Sequence, residues 1–161
     1  MGVKAFAWGL CADGCLRTVD NVVHPNVPLV TIKNIRIYED ERDRLLQKLS
    51  NALGAPFTFP EPEFAKIWEK VQNDGDRGDR LGEIIYGSYL KALVDNIASK
   101  DDQTRKAILE KTPNKKVVWK FGSVEYYHDV TFDGGCLNMV VADNAFWTNV
   151  DSVGAEIEKK L

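Results

Sequence analysis

Two runs of strand-forming residues, Val124 to Phe132 and Cys136 to Ala142, stand either side of Asp133-Gly134. This arrangement constrains the fold more than any other stretch. Asp-Gly suits a type I′ turn, in which both central residues must tolerate positive φ. A two-residue loop there pairs Val130 with Leu137, His128 with Met139 and Tyr126 with Val141 on one, mainly apolar face. The opposite face pairs Thr131 with Cys136, Asp129 with Asn138 and Tyr127 with Val140, beside Glu125. A three-residue loop would set Val130 against Asn138, mixing polar with apolar, so one-sided burial selects the shorter loop.

The same alternation bears on chemistry. His128 and Cys136 are residue types that combine in thiol catalysis, but strand alternation sends their side chains to opposite faces. His128 is expected in the core, with a ring nitrogen bonded to backbone or to a tyrosine hydroxyl. The polar strip of Glu125, Tyr127, Asp129, Asn138 and Cys136 is the candidate sheet-borne site.

Elsewhere the pattern alternates between strand and helix. Lys4 to Leu10 and Leu16 to Val23 are expected to be strands around Asp13-Gly14, and His24-Pro25-Asn26-Val27-Pro28 breaks regular structure. Leu29 to Tyr38, rich in β-branched residues, is expected to be a strand with a bulge near Asn34. Asp40 caps a predicted helix over Glu41 to Leu53, which Gly54 ends. Pro56 to Pro60 is an extended connector, and Pro62 opens a second helix with the stripe Phe64, Ile67, Trp68 and Val71.

Asn73 to Gly82 forms a polar loop. A helix over Leu81 to Ser99 follows, apolar around most of its circumference and therefore central and buried. A short helix is expected between Asp101 and Pro113, and another from Asp151, where Val153, Ile157 and Leu161 recur every four residues. Strands at both ends with helices between imply one α+β domain over residues 1–161, with a largely antiparallel sheet and a central helical segment packed on it.

Composition excludes several classes. With 161 residues, 44% hydrophobic, 28% charged and a net charge of −3, the chain has the balance of a soluble globular protein. It lacks the basic excess of a nucleic-acid-binding protein. No apolar run approaches the ~20 residues of a membrane span. The N-terminal residues lack a signal-peptide apolar core, and three cysteines are few for a secreted disulfide scaffold. The expectation is a cytoplasmic protein with reduced thiols.

Motifs for known chemistry are weak. Cys11 and Cys15, with His24 or Cys136, have loose zinc-ligand spacing but no second compact pair; small, partly buried thiols are the better reading. In the Asp74–Gly82 loop, Gly78 and Asp79 fall at positions five and six of a calcium loop, which misplaces the required glycine. No phosphate-binding, nucleophile-elbow or zinc-protease signature occurs. No cofactor or metal is expected.

Three functional readings follow. The first is a non-catalytic binding protein for a small molecule or protein partner, with Phe57, Phe59, Phe146 and Trp147 near turns suited to contact. The second is a small enzyme using Asp129 or Glu125 as acid or base, with Tyr127 and Asn138 positioning substrate; burial would have to adapt that carboxylate for work near neutrality. The third is a membrane-active α+β protein whose apolar Leu81–Ile97 helix detaches from the sheet. The first is preferred, with Glu125, Tyr127, Asp129, Asn138, Phe146 and Trp147 as its ligand-binding residues.

Overall fold

A computed structural model describes the backbone of Ala7–Leu10 and Leu16–Val19 and all of residues 26–161. Strands β1 (Ala7–Leu10) and β2 (Leu16–Val19) pair antiparallel, with Ala7 opposite Val19. The Asp13-Gly14 turn, Cys11, Cys15 and His24-Pro25 lie outside the described residues.

The expected strand at Leu29 is instead helix α1 (Leu29–Ile37). Its β-branched composition favours a strand locally, but tertiary contacts override that preference. Val27, Thr31 and Ile35, spaced by four, are the buried positions. The phase change near Asn34 is therefore a helical stripe rather than a bulge. Thr31 Oγ1 donates to the Gly78 carbonyl at 2.9 Å, and Asn34 Oδ1 accepts the Glu83 N–H at 3.0 Å. Burial of a side chain such as Ile35 contributes about 1.5–3 kcal/mol.

Helix α2 (Glu39–Leu53) starts two residues earlier than expected, directly after Tyr38. Asp40 therefore lies inside the first turn and caps nothing. Gly54 ends α2 at φ 72°, the left-handed conformation that glycine adopts without a Cβ penalty. Helix α3 (Phe64–Val71) begins two residues after Pro62 and buries Phe64, Ile67 and Val71 of its predicted stripe, with Trp68 half-buried against the core. The polar loop tightens into a 3₁₀ turn at Arg77–Arg80. Arg77 pairs there with Asp74 at 2.5 Å and Arg80 with Glu83 at 2.6 Å.

The central helical run has the expected extent but not the expected winding. Glu83–Leu90 is π-helical and passes directly into α4 (Lys91–Ala98). Ser88 Oγ donates to the Glu83 carbonyl at 3.3 Å, matching the five-residue spacing of this winding. That spacing aligns Ile84 with Tyr89 and Ile85 with Leu90, all four fully buried. Helix α5 (Asp102–Lys111) is capped by Asp101, whose Oδ1 accepts the Thr104 N–H at 2.7 Å.

The three-stranded sheet is mixed, which corrects the expectation of a largely antiparallel one. Its order is β3 (Val117–Phe121), β5 (Leu137–Val141), β4 (His128–Thr131). Strand β5 lies parallel to β3 and antiparallel to β4. All its contributing strands come from the C-terminal third; β1 and β2 form a separate ribbon rather than joining it. Both edges of β5 are paired and all five of its residues are buried.

The hairpin is present with a shifted register. Val130 faces Met139 and His128 faces Val141, while Asp129 faces Val140 and Thr131 faces Asn138. The turn centres on Gly134-Gly135, at φ 65° and 67°, rather than on Asp133-Gly134. Both central positions of this turn require positive φ, and two glycines meet that demand at lower cost than aspartate and glycine. Moving the loop by one residue moves every pair by two, so the division of residues between faces is retained.

The expected C-terminal helix is absent. The chain makes short 3₁₀ turns at Val150–Ser152 and Ile157–Lys160, separated by Gly154 at φ 77°. Several of its carbonyls accept from side chains at the end of the central helix and just beyond it instead of closing helical turns. Asn96 Nδ2 donates to Asp151 O at 3.1 Å and Val153 O at 2.8 Å, and Lys100 Nζ donates to Ala155 O at 2.7 Å. Val153 and Ile157 are buried as expected, but Leu161 is exposed.

Candidate functional site

The open edge of β4 and the C-terminal strap enclose a cleft of about 530 Å³. One wall is Glu125 to Val130; the other runs from Ser152 to Lys160. Alternation fixes which backbone groups face it. Tyr127 O accepts the Ala142 N–H at 2.9 Å, so residues 127, 129 and 131 direct their backbone toward β5 and residues 128 and 130 direct theirs outward. The outward N–H of Val130 is covered by Asp129 Oδ1 at 2.8 Å. Lys160 Nζ reaches Asp129 Oδ2 at 2.7 Å. Asp129 thereby caps the strand edge and anchors the strap with its two oxygens.

His128 ties the cleft's other end. It shares the helix-facing side of the sheet with Val130 and Met139, as alternation requires, but its position at the strand's beginning leaves it half-buried rather than enclosed. Its Nε2 lies 2.9 Å from Asn149 O and 3.2 Å from Ser152 Oγ, and Ser152 Oγ donates to the same carbonyl at 2.8 Å. A carbonyl oxygen only accepts, so Nε2 carries a proton in this arrangement. It cannot then accept the Ser152 proton. The pair is a clamp on Asn149, not a nucleophile and its base. Cys136, at the turn, has its Sγ 3.6 Å from Gly134 O.

The six sequence-predicted ligand residues divide. Glu125, Tyr127 and Asp129 line the cleft. Asn138 does not: it is 4% exposed, and its Nδ2 faces the carbonyls of Asp133 at 3.0 Å, Cys136 at 3.2 Å and Thr131 at 3.4 Å. It closes the hairpin turn. Phe146 is in the core, with its ring centroid 5.8 Å from Trp119's. Phe57 and Phe59 are buried too. Trp147 is half-buried under Arg80, whose guanidinium carbon lies 4.4 Å from the ring centroid, and its N–H donates to Tyr89 OH at 2.8 Å.

Three further residues, Tyr126, Ser152 and Lys160, contribute to the cleft. Alternation predicts Tyr126 on the apolar face, yet beyond the strand's paired residues it is 73% exposed on the cleft wall. Lys160 and Ser152 come from a segment expected to be helical, and the Lys159-Lys160 pair was the available signal. Among the described residues no group of three or more His, Cys, Asp or Glu side chains has the geometry of a metal site, and no helix is long and apolar enough to cross a membrane. No protein-family model, curated protein or solved structure matches the chain.

Asn138→Asp separates the turn-closing role from a ligand role. A buried carboxylate oxygen would replace the donor facing three carbonyls, so unfolding free energy should fall by about 2–4 kcal/mol. Urea denaturation reads this, and an unchanged midpoint would count against the turn-closing role.

Proposed function

We propose that the chain is a non-catalytic binding protein whose small-molecule ligand occupies the cleft between β4 and the C-terminal strap. The observation that carries this reading is the pair of adjacent tyrosines on one wall. Tyr126 is 73% and Tyr127 47% exposed, while the other large aromatic rings of the hairpin region pack inward. Exposed rings at a cleft mouth supply contact area at small ordering cost, since each has two side-chain torsions. Polar groups nearby supply orientation, the usual composition of a ligand site.

Catalysis is the weaker reading on the same residues. Asp129, its central carboxylate, already receives a backbone N–H and an ammonium group, and His128 and Ser152 both direct protons at Asn149. The cleft presents contact groups rather than a base aimed at a reacting atom. The reduced, cytoplasmic setting drawn from the cysteines belongs to this proposal.

Amide NMR of the labelled protein against a mixture of small aromatic amines and acids tests it. Shifts should cluster at residues 125–130 and 152–160. A second, more open groove lies between α2 and the connector that follows it, lined by Leu46, Ser50, Pro56 and Phe57; shifts confined to it, or no shifts at millimolar ligand, would remove the cleft as the site. Tyr126→Ala should reduce affinity several-fold while changing folding stability by no more than about 0.5 kcal/mol, as for an exposed residue.

A further inference from the structure

We infer that the cleft selects an organic cation, a small amine with an apolar body, over a carboxylate of similar shape. The inference rests on the cleft being the binding site proposed above. Its charged groups are not equivalent. Lys160 pairs with Asp129 at 2.7 Å and Lys159 with Glu156 at 2.6 Å, so each ammonium group already faces a carboxylate. Among the described residues, Glu125 has no ion-pair or hydrogen-bond partner, and it lines the same wall as the two tyrosines.

Three carboxylates thus stand against two ammonium groups, a net negative charge when His128 is neutral. An entering anion would have to displace Asp129 or Glu156 from a lysine. An entering cation meets Glu125 directly beside two exposed tyrosines on the same wall, and an ammonium group is attracted to the negative quadrupole of such a ring. The Tyr126 and Tyr127 rings, with Ala155 and Ile157 across the cleft, offer apolar surface for the remainder of the ligand. Organic amines carry both features.

Phenethylamine and phenylacetate, titrated separately into the full chain at neutral pH and followed by amide NMR, provide the test. The amine should saturate the cleft resonances at a concentration about fivefold lower than the acid, from one exposed ion pair and one ring contact. Glu125→Gln should bring the two probes to near-equal affinity, whereas Tyr126→Phe, which keeps the ring, should retain the preference. Equal or tighter binding of phenylacetate to the unaltered protein would overturn cation selectivity while leaving the cleft as a binding site. So would a preference unchanged by Glu125→Gln. If neither probe moves the cleft resonances, the binding reading itself fails.

Discussion

Gly82→Ala should lower unfolding free energy by about 3 kcal/mol, at the upper end of the cost of overpacking. The sign opposes local propensity. Gly82 has ordinary right-handed helical angles, φ −64° and ψ −46°, where alanine gains about 1 kcal/mol over glycine. Packing reverses this, because an added Cβ would lie 2.5 Å from Ile35 Cα and 2.6 Å from Asn34 O. Those atoms are backbone, so α1 must move as a unit. Displacing it strains the Thr31–Gly78 and Asn34–Glu83 hydrogen bonds on either side of the contact. Urea denaturation measures the loss. Gly54→Ala is the comparison: its φ of 72° costs an alanine about 1–2 kcal/mol by strain, yet no atom lies within 4 Å of the added carbon. If Gly82→Ala is the milder of the two, the close crossing of α1 over the central helix is wrong.

That crossing also explains what was legible in the sequence and what was not. Periodicity located the central helix and its burial because Ile84, Tyr89, Leu93 and Ile97 bury against residues on every side. It misassigned α1 because Val30, Ile32 and Ile37 favour strands locally, while the deciding contact, Thr31 and Ile35 against Gly78 and Gly82, spans 47 residues. The hairpin faces were legible because a turn displaced by one residue preserves alternation; the register was not, because Asp133-Gly134 and Gly134-Gly135 both qualify as turns. The cleft was half legible. Glu125, Tyr127 and Asp129 of its first wall follow from alternation, but Tyr126 does not, and its second wall depends on Asn96 and Lys100 holding a non-helical strap, which no local pattern encodes. Asn138 was polar, on the correct strand and on the predicted face, yet the sequence could not distinguish a ligand contact from a turn clamp.

The buried tyrosines predict a steep loss of stability in alkali. Burial pushes the phenols of Tyr86 and Tyr89 up from 10.0 to about 12, against smaller opposing effects from Arg42 on Tyr86 and from the Trp147 N–H on Tyr89. Below pH 10 both folded and unfolded chains hold these protons, so the stabilisation is complete. Between pH 10 and about 12 the unfolded chain releases them while the folded chain retains them, and stability falls as pH rises. At 1.36 kcal/mol per unit, the loss is roughly 2.7 kcal/mol for each tyrosine, or roughly 5 kcal/mol together. That is comparable with the whole stability of a typical domain, so cooperative unfolding should accompany phenolate formation in this window. Phenolate absorbance and far-ultraviolet circular dichroism, followed together against pH, should show one coincident transition for the buried groups. Tyr89→Phe supplies the discriminating variant. It leaves the Trp147 N–H without its acceptor and so costs about 1–3 kcal/mol at neutral pH. It should nevertheless reduce the slope of stability against pH by about half, because one of two linked protons has gone. A slope unchanged in that variant would place the alkaline transition elsewhere than in this aromatic core.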